Sequence, residues 1–166
     1  MLATLDRFAV REASPEDADA IGVVYTRSWQ SSYRGILPDA YLDGLDPGAR
    51  ARMHRRNLLD GEDLHLVAYD TTYGGIVGFC DAGTNRRGGP WAREIYTLYL
   101  LDHAKRHGLG RQLFERARGT RSLIIWVLEH NHHARRFYEA LGGKAAHRVQ
   151  SRIGGVLVTE QAYVWP

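Results

Sequence analysis

Hydrophobic and polar positions alternate with two different periods along the chain, and the clearest change of period falls in the stretch 94–118. Residues 94–100 are rich in β-branched, aromatic and aliphatic side chains, which is typical of a strand buried on both faces. Beyond a short basic segment, Leu109, Leu113 and Ala117 recur four residues apart and predict a helix with one apolar face. This stretch is therefore predicted to run from a strand through a turn into a helix.

The same criteria predict the remaining elements. Ser14 is followed by proline and two acidic residues, which is typical of a helix start. Residues 84–91 are predicted to form an exposed loop. The predicted helices are 15–33, 39–45, 47–59, 110–117 and 132–141, and the predicted strands are 8–11, 64–69, 76–80, 94–100, 123–128, 145–153 and 156–164. This order predicts an α/β fold with one mixed sheet and helices on both faces.

The turn between the central strand and helix, residues 105–111, reads Lys-Arg-His-Gly-Leu-Gly-Arg. Glycine lets a ligand approach the backbone closely, and the free N–H groups and dipole at a helix N-terminus favour an anion. A dinucleotide fingerprint would need glycine at Leu113, and the chain has no glycine-rich run ending in Gly-Lys-Ser/Thr. The turn therefore predicts a pyrophosphate site of another kind, or else an ordinary basic loop with a glycine cap.

Two motifs carry a family resemblance. A strand, then Lys105-x-x-Gly108-x-Gly110, then a helix resembles the acyl-CoA-binding motif of the GNAT (Gcn5-related) N-acetyltransferase superfamily, which usually has Gln or Arg at the position of Lys105. The segment 131–142, Asn-x-x-Ala-x-x-Phe-Tyr-x-x-Leu-Gly, resembles the second cofactor motif of that family. The resemblance is weakest before residue 60. It implies a single domain over 1–166 with a GNAT-like, mostly antiparallel sheet of about six or seven strands.

The resemblance also implies acetyl-CoA as the acetyl donor and assigns residues to it. In the family, the backbone of the central strand binds the pantetheine arm and the thioester carbonyl, and the basic turn binds the pyrophosphate. The matching cofactor residues here are Leu98, Tyr99, Leu100, Lys105, Arg106, His107, Gly108, Leu109, Gly110, Arg111, Asn131 and Tyr138. Asn131 is also suited to cap the helix that follows it.

Tyr138 and Glu94 are the predicted catalytic residues. Tyr138 lies at the family's usual tyrosine position, and a phenol with an ordinary pKa near 10 stays protonated and can donate to the leaving thiolate. Its alternative role is as one member of an apolar helix face. Glu94 opens the central strand, where the family often places a glutamate base, sometimes acting through water. The alternative is a solvated charge at a strand end, and His103 and Glu129 are weaker candidates for the base.

The acceptor is predicted to bind near the unusually aromatic segment 28–38. Trp29, Tyr33 and Glu94 are the predicted substrate-binding residues, although Trp29 could equally pack its helix onto the sheet. The segment resembles a subgroup of bacterial GNAT enzymes with Trp and Tyr at similar places, some of which act on polyamines or other small amines. The predicted reaction is direct attack of a primary amine on acetyl-CoA in a ternary complex. A protein N-terminus or lysine as acceptor, or a non-catalytic acyl-CoA sensor, are the alternatives.

Composition and charge limit the classes of function and the cellular location expected of this chain. The 166 residues carry a net charge of +3 with scattered basic residues, which does not indicate nucleic-acid binding. The single cysteine, Cys80, excludes an internal disulfide and fits a reducing compartment. The chain has no apolar run of membrane-spanning length and no signal peptide near Met1, so a cytoplasmic location without membrane contact is expected. The histidines at 130, 132 and 133 lack partners at zinc spacing, so no metal is predicted. A homodimer is possible, because family members often dimerise.

Overall fold

The computed structural model describes residues 6–166, so the first five residues of the predicted domain lie outside it. The helices are α1 (Ala18–Ser32), α2 (Asp39–Asp43), α3 (Pro47–Asp60), α4 (Leu109–Arg118) and α5 (His132–Ala140). The strands are β1 (Phe8–Glu12), β2 (Leu64–Asp70), β3 (Ile76–Thr84), β4 (Arg93–Leu100), β5 (Leu123–Leu128), β6 (Lys144–Ile153) and β7 (Val156–Trp165).

The seven strands form one sheet in the order β1-β2-β3-β4-β5-β7-β6. All neighbours are antiparallel except β4 and β5, which are parallel. The predicted α/β fold and its mostly antiparallel sheet are thus confirmed. The predicted elements all occur, but β3 continues to Thr84 beyond its predicted end at residue 80.

The parallel strands β4 and β5 separate soon after they meet. They pair only where Arg93–Ile95 lies beside 123–125, although both strands continue. On its other side, β4 carries a bulge, because Ala82 pairs with Ile95 while Asp81 pairs with Thr97. The edge of β4 beyond Ile95 therefore faces a wedge with its backbone groups unpaired by β5.

Helices cover both faces of the sheet, as predicted. On one face, α4 and α5 bury apolar side chains such as Leu113 and Tyr138 in the main core. On the other face, α1 and α3 lie over the sheet, and Ile21 and Val24 of α1 pack against Phe79. None of the helices within residues 6–166 is long and apolar enough to cross a membrane.

A buried polar network ties α3 to three strands. The Asp81 carboxylate on β3 contacts His54 Nε2 at 3.0 Å and His65 Nδ1 at 2.6 Å, and it accepts a 2.7 Å hydrogen bond from the Thr97 hydroxyl on β4. His54 also contacts the carbonyl oxygen of Arg50 through Nδ1 at 3.1 Å. Both ring nitrogens of His54 therefore lie within hydrogen-bonding distance of oxygen atoms. These contacts explain how β3 can continue through a buried carboxylate at its centre.

Candidate active site

The wedge between β4 and β5 opens into a cavity of about 350 Å³. Both strands, the starts of α4 and α5, and the end of α1 form its walls. Eight of the predicted site residues line it: Tyr33, Leu98, Tyr99, Leu100, Lys105, Gly110, Asn131 and Tyr138. The fold therefore brings both sequence motifs and part of the aromatic segment to one cavity.

The basic turn at one end of the cavity has the geometry of an anion site. Arg106 and Gly108 both have positive φ, 65° and 77°, and this conformation costs a non-glycine residue about 1–2 kcal/mol. The first backbone bond of α4 joins Gln112 N–H to the Gly108 carbonyl at 3.1 Å. The N–H groups of residues 109–111 therefore have no acceptor within the helix. Together with the helix dipole, they can hold a phosphate.

The side chains of this turn differ in what they can contribute to anion binding. The Lys105 ammonium, which lies beside the cavity, donates to the Asp102 carboxylate at 2.7 Å. The Leu109 side chain is buried in the core, and the His107 ring packs on Phe8 at 4.9 Å between centroids. Arg111 forms an exposed ion pair with Glu115 of its own helix at 3.4 Å. Leu109 can thus serve an anion only through its backbone, whereas Lys105 can contribute its charge.

Gly110 sets the distance between α4 and α5. A Cβ atom at this position would lie 3.1 Å from the Phe137 ring and 3.7 Å from Leu100. The absence of a side chain keeps this end of the wedge open where the two motifs meet.

Tyr138 projects from α5 into the cavity. Its side chain is 6% exposed and packs beside Phe114 and Phe137. Burial raises the pKa of the Tyr138 phenol, so the hydroxyl is protonated at neutral pH. Within residues 6–166 no side chain forms a hydrogen bond to that hydroxyl. The proton is therefore available to a group bound in the cavity. Asn131 caps α5, as predicted, by accepting a 3.2 Å hydrogen bond from the Ala134 N–H.

The aromatic segment supplies the opposite wall. The Tyr33 and Tyr99 hydroxyls are 3.2 Å apart, and burial raises the pKa of both phenols. Trp29 does not line the cavity; its ring stacks on Tyr25 at 5.0 Å and meets Tyr33 edge-on at 4.8 Å. Tyr33 can therefore contact an acceptor directly, while Trp29 supports it from behind.

Glu94 lies next to the cavity rather than in it. It is 2% exposed, so the alternative of a solvated strand-end charge is wrong. Its carboxylate accepts a 2.9 Å hydrogen bond from the Arg86 N–H and lies 3.6 Å from the Arg86 guanidinium. Its neighbours Ile95 and Tyr96 line the cavity, and Glu94 does not.

Several residues near the cavity were not identified from the sequence. Tyr96 and Trp126 line it, and the segment 85–92 folds back over the sheet so that Arg87 reaches Glu160 of β7. One signal for the Arg87 contact was present in the sequence: Glu160 lies inside the predicted strand 156–164, and a charged residue buried in a strand requires a partner. No group of three or more potential metal ligands occurs in the described part of the chain.

Comparison with known proteins gives a consistent set of similarities. Residues 61–142 match a family model described as an acetyltransferase (GNAT) domain. Over 164 residues the chain is 31% identical to YuaI of Bacillus subtilis, an uncharacterized N-acetyltransferase, covering 95% of this chain and 92% of that protein.

Solved structures show the same fold. PaiA N-acetyltransferase from Thermoplasma acidophilum, solved in complex with coenzyme A, has a TM-score of 0.69 at 20% identity, covering 92% of this chain and 97% of that one. YncA, a putative acetyltransferase from Salmonella typhimurium solved with acetyl-CoA, has a TM-score of 0.69 at 20% identity, covering 95% and 92%.

Proposed function

The chain belongs to the GNAT family of N-acetyltransferases, and from this premise we propose that it transfers an acetyl group from acetyl-CoA to a primary amine of a small, polyamine-like molecule. The observation that carries the proposal is the wedge between β4 and β5. It ends at a helix N-terminus with free N–H groups and has a protonated tyrosine in its wall.

The donor is proposed to lie along the wedge. The N–H groups at the start of α4 and the Lys105 ammonium would hold the pyrophosphate. The unpaired edge of β4, at residues 98–100, would bind the pantetheine arm. Acetyl-CoA supplies an activated thioester carbonyl. A backbone N–H directed at the oxygen of that carbonyl stabilises its developing charge, and such a donor contributes about 3 kcal/mol.

Proton transfer is assigned to two residues. Tyr138 donates its phenolic proton to the departing sulfur, since its hydroxyl is protonated and unoccupied by any side chain of residues 6–166. Glu94 receives the proton of the attacking amine. Because Glu94 does not line the cavity, this transfer is proposed to pass through a water molecule.

A small acceptor is favoured by the covering of this side of the sheet. Tyr33 borders the cavity, and the segment 85–92 lies over β4, β5 and β7 through contacts of Arg86 and Arg87. The proposed amine therefore enters a partly closed pocket rather than an open groove.

Lys105→Ala is expected to weaken acetyl-CoA binding about tenfold at low salt and less at high salt. The substitution removes a charged donor and leaves the Asp102 carboxylate near the proposed phosphate site. Titration calorimetry measures the dissociation constant. The only other lysine, Lys144, is exposed on β6, and Lys144→Ala is the control that should bind normally. Equal affinities for the two variants would refute the proposed pyrophosphate site.

Glu94→Gln is expected to lower kcat for a primary amine about tenfold to a hundredfold at neutral pH. Glutamine can still accept the Arg86 N–H, so the fold should persist. The loss of kcat should become smaller as the pH approaches the pKa of the amine itself, because the amine is then already deprotonated and does not require a general base. Steady-state kinetics against pH test this, with Glu115→Gln on the exposed face of α4 as the control. A loss that stays constant with pH would contradict the role of base.

A further inference from the structure

Two consecutive arginines of the segment 85–92, the arginine loop, each cover a buried carboxylate. The Arg86 guanidinium lies 3.6 Å from the Glu94 carboxylate, and Arg87 forms a bidentate ion pair with Glu160 at 2.9 and 3.2 Å. Each guanidinium also lies over an aromatic ring, that of Arg86 over Tyr96 at 3.5 Å. The proposed base explains the first pair, whereas nothing in the proposed reaction uses the second.

Glu160 lies on the acceptor face of the sheet. It pairs directly with Leu128 on β5, so the two side chains share a face. Leu128 packs with Tyr33 and Leu37 from the side of α1 and α2, opposite the basic turn. Trp126 lies two residues before Leu128 and therefore shares this face. Trp126 also lines the wedge cavity, so Glu160 and its indole neighbour adjoin the proposed acceptor pocket.

Arg87 occupies a complete cation site. Its guanidinium carbon lies 4.8 Å from the centroid of the Trp126 ring while both terminal nitrogens contact Glu160. A carboxylate beside an indole face is a combination that binds ammonium and guanidinium groups. In addition, the buried indole N–H of Trp126 has no hydrogen-bond partner in residues 6–166.

The carboxylate is the fixed part of this pair and the arginine is the movable part. The Glu160 side chain is 12% exposed on β7, a strand paired on both sides, whereas the Arg87 side chain is 42% exposed. The arginine belongs to a loop in which Gly88 and Gly89 have positive φ. If Arg87 leaves, the buried carboxylate requires another cation, because an unpaired buried charge is costly.

We propose that Glu160 and Trp126 form a subsite for a second cationic group of the acceptor, which Arg87 fills when no acceptor is bound. The proposal rests on the proposed function, since the first amine of the same molecule is the one acetylated. The preferred acceptors are then small diamines. Such an acceptor exchanges its distal ammonium for the Arg87 guanidinium, and the arginine side chain moves into solvent.

Matched pairs of amines test the subsite. Diaminobutane and diaminopentane are compared with butylamine and pentylamine, which lack only the second charge. The wild-type enzyme should show a KM about tenfold lower for each diamine than for its monoamine partner. Glu160→Gln should remove this difference by selectively raising the KM for the diamines. Arg87→Ala should lower the KM for diamines several-fold, because the competing guanidinium is gone. Arg121→Ala, in the exposed turn between α4 and β5, is the control for a lost surface charge.

Three outcomes would overturn the subsite. The first is equal KM values for diamines and monoamines in the wild-type enzyme, which needs no variant to fold. The second is an equal loss for both amine classes in Glu160→Gln. The third is loss of all turnover in an Arg87→Ala variant that keeps its melting temperature, which would mean that the arginine itself binds the acceptor.

Binding separates the subsite from the proposed function. If no amine is acetylated, the proposed function fails, but the subsite still predicts that diaminobutane raises the melting temperature more than butylamine does. That difference should vanish in Glu160→Gln. If the two amines shift the melting temperature equally in the wild-type protein, the subsite is refuted as well.

Discussion

Replacing Asp81 by asparagine is expected to lower the free energy of unfolding by about 3–5 kcal/mol, the usual cost of removing one partner from a buried charge network. For a domain of this size the melting temperature should fall by about 10 °C or more. The asparagine leaves His54 Nε2 without a carboxylate partner, while Nδ1 keeps its contact with the Arg50 carbonyl. It also leaves His65 and Thr97 without a carboxylate.

Thermal and urea unfolding measure this effect. Asp19→Asn is a matched control, because Asp19 forms an ion pair with Arg55 at the surface, where its side chain is 82% exposed. Such exposed pairs contribute about 0–1 kcal/mol. Equal melting temperatures for Asp81→Asn and Asp19→Asn would show that the buried network is not a major source of stability.

The same network predicts a stability optimum in mildly acidic solution. Burial by itself raises the pKa of Asp81, but hydrogen bonds from His54 and His65 outweigh it and lower that pKa to about 2. This contribution is complete above the unfolded-state pKa of about 3.9 and is lost as the pH falls toward 2. The Asp81 contact raises the pKa of His65, so its contribution is complete below about pH 6.5 and is lost as the pH rises through the raised value. Asp81→Asn should flatten both slopes.

Tyr138→Phe is expected to lower kcat by about a hundredfold to a thousandfold while leaving the dissociation constant of acetyl-CoA within about twofold. The ring that packs beside Phe114 and Phe137 is retained. Because no side chain of residues 6–166 hydrogen-bonds the hydroxyl, its removal leaves no buried partner unsatisfied and the melting temperature should not change. Steady-state kinetics, calorimetry and thermal unfolding together test these three expectations.

Tyr163→Phe is the informative comparison. Tyr163 lies in the same core, where its hydroxyl donates to Glu139 at 2.6 Å and accepts from Arg135 at 3.0 Å, but it does not line the cavity. Its substitution should cost stability by leaving these groups unpaired, with little effect on kcat. If Tyr138→Phe instead lost stability and kept its kcat, Tyr138 would be a core residue and not the acid.

The local motifs of the wedge were predictable from the sequence because each depends on neighbouring residues. Gly108 and Gly110 lie within one turn that enters α4, and Asn131 caps its own helix, so short-range patterns suffice. The residues that support or cover the site could not be predicted in this way. The hydrogen-bond partners of Asp81 lie on α3, β2 and β4. The ion-pair partner of Arg87, Glu160, lies 73 positions away on β7.

Glu94 illustrates how far the role of a single residue can be predicted from the sequence. The period of β4 predicts that it opens the strand, and the strand does begin beside it, at Arg93. Its burial and its bond to the Arg86 N–H depend on the loop 85–92, whose sequence predicts only exposure. The path from the amine to this carboxylate is therefore a property of the fold and not of the strand pattern.

The most direct test of the central claim is release of free coenzyme A thiol by the purified protein in the presence of acetyl-CoA and diaminobutane, with the acetylated amine identified by mass spectrometry. The account predicts that thiol release depends on both substrates, yields one acetylated amine per thiol, and falls by about a hundredfold or more in Tyr138→Phe. Binding of acetyl-CoA without thiol release on any small amine would contradict the proposed reaction and favour a sensor or a protein acceptor. If the protein did not bind acetyl-CoA, the assignment of the wedge as the donor site would be refuted.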